Sequence, residues 1–331
     1  LPDPVAVAER LLAVQGQDPR GFRLAVRART EGLHATDVER ALAERQLLVT
    51  WLNRGTLHLV RSEDYPLLQA LTTPPLRSSS ARRLRQEGVS EAEAERALEV
   101  IGKALADEGP LTRVELRERL DSADVRTEGQ AMIHLLFLAA VRGLVVRGPM
   151  AGKQHAYVLA REWLGEPPVL DREKALAELA RRYLVGHQPA TDRDLAKWAG
   201  LPLRDARAGI AAIAAELEQG EDGLLRLAGR RGGGKAAMRR ATEPLPPPRL
   251  LGAFDPVLLG WTSREDILGP HTSLVTRNGI FHPFAMAKGK AVAKWGMSWG
   301  TLTVEPLESM PAGVAAALEG DAADVTRFLG A

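Results

Sequence analysis

Along the opening stretch of the chain apolar residues recur at helical spacing, and from Leu47 the spacing changes to that of extended strands. Asp3-Pro4 opens a predicted helix with Val5, Ala8, Leu11 and Leu12 on one face. Asp18-Pro19 opens a second, with Phe22 and Val26 inward, and Thr36 with Glu39 reads as the capping box of a third. Two β-rich runs follow, LLVTWL (47–52) and TLHLV (56–60), separated by Asn53-Arg54-Gly55. Three helices and a hairpin make the pattern of a winged helix-turn-helix.

The pattern recurs. Ser90 with Glu93 and Thr112 with Glu115 cap two helices, 129–143 reads as a third, and 144–159 reads as strand, wing, strand. Asp171 opens a helix to Val185, Thr191 one to Ala199, and Pro202 one to about Gln219, before a last wing in 224–240. The units start near residues 4, 90 and 171, a period of roughly 80 residues, which suits tandem domains better than a solenoid. A proline-rich stretch (243–252) ends the repeat. Beyond it, turn signals at Asn278-Gly279 and Lys288-Gly289 punctuate a β-rich segment that predicts a small antiparallel barrel or sheet, followed by a helical stretch from Pro311 to Phe328. The expected fold is therefore α+β, with three tandem winged helix-turn-helix domains (1–85 with its linker, 86–168 and 169–243). A small antiparallel β-barrel domain with a helical tail (244–331) completes it.

Composition narrows the function classes. The 331 residues are 45% hydrophobic and 26% charged, ordinary for a globular protein. No apolar run is long enough to span a bilayer, nothing resembles a signal peptide, and a cytoplasmic location is expected. The chain opens on Leu1, so its natural start is expected to have been trimmed. The absence of cysteine excludes disulfides, iron–sulfur clusters and thiolate zinc sites. Net charge is only +2, but basic residues cluster at 77–85, 226–240 and 288–294, each in a predicted linker or hairpin tip. The helix in 129–143 is apolar almost all round and offers only Gln130, His134 and Arg142, so it is expected to be buried scaffold, not a reader of bases.

No zinc-peptidase pair, P-loop, nucleophile elbow or dinucleotide fingerprint is present. The seven histidines are scattered singly, and RRGGGK (230–235) lacks the spacing of a phosphate loop and reads as a basic wing. Glu115 and Glu118 fall on exposed helix faces, and Asp255 reads as a turn brace. The unusual feature is AVQGQDPR (13–20), where Gln15 and Gln17 stand one residue apart in a predicted turn between helices. Glutamine favours helix interiors and has no proton to titrate. Locally the pair reads as nothing more than a solvated turn.

The segments LLAVQGQDPRGFRLAVRART, TWLNRGTLHLV, GQAMIHLLFLAAVRGLVVRGP, LLGAFDPVLLGW and RNGIFHP, in that order, change this reading. Together they resemble the HTH_42 superfamily of bacterial DNA glycosylases, in its AlkZ-like branch, over nearly the whole chain. The archetype of that branch protects a producer of azinomycin against its own DNA-alkylating product. The resemblance implies tandem winged helices and a small β-barrel in a C shape, acting as a monomer on duplex DNA that carries N7-alkylpurine lesions, without cofactor or metal. The branch's Gln-x-Gln signature falls on Gln15 and Gln17 as the catalytic pair, with Gly16 where the family usually has an aliphatic residue.

Asn53, Arg54, Thr56 and His58, on the first wing, would then contact DNA near the lesion, although Thr56 and His58 also alternate with leucines as in any half-buried strand. Arg231, Lys235, Arg277 and Lys288 are hairpin-tip candidates for phosphate or minor-groove contacts. The alternatives are a winged-helix regulator or lesion binder without catalysis, and an interaction scaffold.

Overall fold

The computed structural model describes residues 1–228 and 245–330. Helix α1 (Pro4–Leu11) starts where the Asp3 carboxylate accepts from the Ala6 amide at 2.7 Å, satisfying a donor that a first helical turn leaves free. It ends in a γ-turn of the rarer hand: Ala13 N donates to Leu11 O at 2.7 Å across Leu12, which takes φ 62° and ψ −42°. Backbone of this kind costs roughly 1–3 kcal/mol, and Leu12 is held there by a side chain fully inside the core. The turn delivers the chain into a short strand, β1 (Val14–Gln15), where the sequence suggests only a solvated turn.

Helix α2 (Pro19–Arg27) is capped by Asp18, which accepts from Gly21 N at 2.7 Å. Helix α3 (Ala35–Ala43) begins slightly earlier than expected, because Asp37 reaches back to the His34 amide at 2.7 Å and supplants the Thr36–Glu39 box. Glu39 turns instead to Arg23, 3.2 Å away. Strands β2 (Leu47–Leu52) and β3 (Thr56–Arg61) form the first hairpin. The stretch read as a basic linker is helical: α4 (Tyr65–Thr72) leads directly into α5 (Pro74–Gln86). Leu76, Ser80 and Leu84 recur every fourth residue and lay a narrow stripe against the second core, which the density of arginine hides in the sequence.

The second set comprises α6 (Glu91–Glu108), α7 (Arg113–Ser122), α8 (Ala131–Val141) and the hairpin β4 (Val145–Ala151) and β5 (Gln154–Leu159). Helix α8 is buried over most of its surface, as its composition predicts. The hairpins of the first two sets share a sheet. Val49 pairs with Arg147, joining them in one sheet of order β1-β3-β2-β4-β5.

After α9 (Ala160–Leu164) the third set is α10 (Arg172–His187), α11 (Asp192–Ala199) and α12 (Leu203–Ala212). The last stops well before Gln219: a 3-10 turn releases the chain into β6 (Leu217–Gln219), which pairs with β7 (Leu225–Leu227). Strand pairing, with Leu217 and Leu227 packed on the main core, overrides a strong local helix propensity.

The C-terminal strands β8 (Arg249–Leu251), β9 (Phe284–Ala287), β10 (Lys290–Ser298) and β11 (Thr301–Pro306) form an open antiparallel sheet, β11-β10-β9-β8, with the short helix α13 (Glu265–Leu268) before β9. No closed barrel exists among the described residues, which corrects the expectation. Helices supply the cover instead: Leu250, Ala285, Ala293 and Trp295 pack with Phe22 and Val26 of α2 and with Leu318, Val325 and Phe328 of the final helix, α14 (Ala312–Leu329). The opposite face, with Leu251, Phe284 and Ala291, packs on Leu258, Leu268, Leu274 and Phe281, so both faces of the open sheet are covered. Among the described residues no helix is long and apolar enough to cross a membrane.

Candidate catalytic site

Strand β1 adds to the edge of β3, pairing Gln15 with His58, and β2 on the other side pairs His58 with Thr50. Directly opposed residues of antiparallel strands share a face, so Gln15, His58 and Thr50 form a polar row, only 6%, 3% and 1% exposed. The Nε2 of Gln15 donates to the Oε1 of Gln17 at 2.7 Å. Gln17 is exposed and Gln15 buried, so the inner amide orients the outer one. With that donor engaged, Gln15 retains its Oε1, which meets no partner among the described residues. Gln17 retains its NH2 group. The Gln15 Oε1 is enclosed, so the polar group the pair turns to solvent is the Gln17 NH2.

Gly16 does not loosen the pair. Its amide donates to Leu57 O at 2.6 Å, and a Cβ there would meet backbone atoms no closer than 3.6 Å. The glycine's conformational freedom is unused.

His58 Nδ1 lies 2.9 Å from the Thr56 carbonyl, which only accepts; Nδ1 therefore carries the proton and Nε2 a lone pair. Burial, reinforced by the charge of Arg54, pushes the imidazole pKa down to about 3, so the ring is neutral. Asp18, next to Gln17, is engaged in capping α2. The arrangement orients polar groups, and its neutral amides do not take up a proton at ordinary pH.

The first wing departs from expectation. Asn53 is completely buried, with both amide atoms unpartnered among the described residues, and His58 is nearly so. Thr56 is half-buried and donates to Asn53 O at 3.2 Å. Arg54, at φ 54°, donates from Nη1 to Lys197 O at 2.8 Å and Trp198 O at 2.9 Å, complementing the carbonyl end of α11. Asn53 and His58 are withdrawn from any exposed DNA-reading tip, because β1 and β4 flank the hairpin and α11 abuts its end, whereas Arg54 keeps an exposed side chain. Arg277 and Lys288 are exposed in turns, whereas Arg231 and Lys235 lie outside the described residues. Asp255 braces a turn, accepting from Val257 N at 3.0 Å and pairing with Arg29 at 2.7 Å.

Two features escaped the sequence reading. Trp299, at the β10–β11 tip, is 102% exposed, and its hairpin is tied to α2 just beside that tip by Arg20 Nη1 donating to Met297 O at 3.3 Å. A Trp-Gly step between two alternating strands was the available signal. The other is a cleft of about 580 Å³ between the first turns of α2 and the β4–β5 hairpin, lined by Arg23, Arg113, Arg147 and Lys153. No periodicity marks those four. Among the described residues no group of three or more acidic or imidazole side chains is placed to hold a metal.

The profile of the family described as DNA glycosylase AlkZ-like matches residues 8–328. The chain belongs to the AlkZ-like DNA glycosylase family. It is 30% identical to an interstrand DNA cross-link repair glycosylase of Streptomyces sahachiroi, over 99% of this chain and 91% of that protein. The structure of the Streptomyces sahachiroi DNA glycosylase AlkZ superposes with a TM-score of 0.79 at 27% identity, covering 99% of this chain and 91% of the other. As an AlkZ-like glycosylase it acts on DNA and hydrolyses N-glycosyl bonds.

Proposed function

We propose that this glycosylase excises bulky or crosslinking N7-alkylated purines from duplex DNA, with Gln15 and Gln17 as the catalytic pair. The observation that carries the reading is the Gln15–Gln17 hydrogen bond of 2.7 Å on a strand anchored to β3. It fixes the exposed Gln17 amide against the buried Gln15, so that the Gln17 NH2 is held in one orientation toward a water. An N7-alkylated purine is cationic, so its glycosidic bond breaks without protonation of the leaving group. The water oxygen bonds to C1′ and the N9–C1′ pair moves into the ring, cancelling its charge. One water proton passes to solvent. Positioned dipoles then stabilise the oxocarbenium-like transition state, and no cofactor is needed.

The cross-link repair activity named for the Streptomyces relative supports a crosslinking substrate. The three helix-and-hairpin sets act as tandem winged helices, and the chain works as a monomer. Exposed Arg277, Lys288 and Trp299 face the duplex, with Trp299 placed to wedge at the lesion. Removal of such adducts would give a genotoxin producer self-resistance.

The test is base release from duplex DNA treated with a panel of N7 alkylators, with heat-labile breakage subtracted. Release of bulky adducts that borohydride does not trap as a protein–DNA species is expected, since direct attack by water forms no Schiff base. A trapped species that survives Gln15→Ala would place the chemistry elsewhere.

A further inference from the structure

The cleft beside α2 is strongly cationic and almost free of acid. Arg23 enters from α2, Arg113 from the start of α7, and Arg147 and Lys153 from the β4–β5 hairpin; the one carboxylate is Glu39. Arg147 is pre-shaped: its guanidinium lies 4.6 Å from the Trp51 ring and 5.2 Å from the Tyr157 ring, and its Nε donates to the Tyr157 hydroxyl at 3.0 Å. Its two terminal nitrogens meet no acceptor among the described residues, and neither Arg113 nor Lys153 has a carboxylate partner there. Arg23 is fixed by Pro19 O at 2.8 Å and by Glu39 at 3.2 Å. Four cations converging on one carboxylate repel one another unless an anion joins them. A guanidinium clamped by two rings and with its fork free suits a phosphate oxygen pair.

Position supplies the second argument. Pro19 follows Gln17 by two residues and lines the cleft, and Arg23 stands one turn further, about 6 Å along the helix axis. We propose that this cleft is a phosphate site: Arg23, Arg113, Arg147 and Lys153 hold the backbone of the DNA strand that passes the Gln15–Gln17 pair, and Glu39 moderates that grip. The inference rests on the reading of Gln15 and Gln17 as the catalytic pair and adds where the strand is anchored.

The experiment is the affinity of the full chain for undamaged duplex, titrated across salt. The Arg113→Ala, Lys153→Ala double variant removes two exposed groups without partners, so thermal stability should hold while the slope of log K against log salt falls by about two. Arg147→Lys should keep the slope and lose affinity, because charge remains and the fork does not. Glu39→Gln should bind several times more tightly, a gain that structural damage does not produce. An unchanged slope in the double variant, or weaker binding by Glu39→Gln, overturns the phosphate site while leaving the catalytic reading intact. A wild-type affinity indifferent to salt instead sinks the DNA-facing reading of the whole surface.

Discussion

Gln15 and His58 stand opposite each other on adjacent antiparallel strands, buried together, and Gln15 passes its orientation to the exposed Gln17 through a 2.7 Å amide–amide hydrogen bond. The site is thus a rigid inner amide, a neutral imidazole beside it and a solvent-facing outer amide.

Removing either amide should therefore slow chemistry more than it disturbs folding. Gln15→Ala and Gln17→Ala are each expected to lower single-turnover base release by about a hundredfold, the usual effect of deleting one oriented dipole. Gln17→Asp keeps an acceptor for Gln15, one methylene shorter, and adds a carboxylate able to take a proton. It should retain activity on cationic bulky adducts and gain release of small ones such as N7-methylguanine. If a folded, DNA-binding Gln17→Asp protein is inactive, the donor of Gln17 is the essential group.

Two glycines near the site should respond in opposite ways. A Cβ at Gly16 meets only ordinary contacts at 3.6 Å or more, so Gly16→Ala should fold, keep activity and gain about 0.4–1 kcal/mol by restricting the unfolded chain. A Cβ at Gly21 would lie 2.3 Å from the Ala253 carbonyl oxygen, a backbone atom that cannot swing aside. Gly21→Ala should push α2 off the C-terminal segment and lower both the melting temperature and activity. Denaturant melts with parallel rate measurements separate the two cases.

Two buried imidazoles, His58 and His187, and the half-buried His155 make stability depend on pH. Burial first, and then neighbouring arginines, holds His58 at about 3, His155 at about 4 and His187 at about 4. An unfolded histidine titrates near 6.5, so as pH falls the unfolded chain takes up protons before the folded one. Their contribution is complete above about pH 6.5 and is lost as pH drops toward 4 and then 3. Near pH 5 each should add a slope of about 1.4 kcal/mol per pH unit. Urea midpoints measured from pH 8 to 4.5 should fall steeply below 6.5, whereas the catalytic step, which uses no titrating group, should stay flat from pH 6.5 to 9. A sigmoidal rate profile in that range would overturn the water-orienting mechanism.

The last helix pins the catalytic region to the C-terminal sheet through one buried carboxylate. Asp321 pairs with Arg27 of α2 and with Arg249 of β8, each at 2.8 Å, and accepts from Leu250 N at 2.7 Å. Asp321→Ala leaves the Arg27 guanidinium buried without its main partner and should destabilise the protein by about 3–5 kcal/mol, measurable as a large drop in denaturant midpoint. A loss below 1 kcal/mol would mean that Asp324, 3.1 Å from Arg27, takes over.

Much of the architecture was legible in the chain because its signals are local. The caps at Asp3, Asp18, Ser90, Thr112, Asp171 and Thr191 satisfy amides three residues on, and the apolar run of α8 buries itself whatever surrounds it. The order of the family segments and the Gln-x-Gln spacing were likewise there to be read.

What only tertiary structure decided is which of these residues face inward. Asn53 and His58 read as part of a wing tip, yet the pairings Gln15–His58 and Val49–Arg147 enclose them, and Trp198 meets the end of the hairpin. The same distance in sequence hid the cleft, whose four cations come from three separate elements. A cap or a period acts across a few residues, whereas the face a strand presents, or the side a sheet leaves open, depends on partners tens to hundreds of positions away.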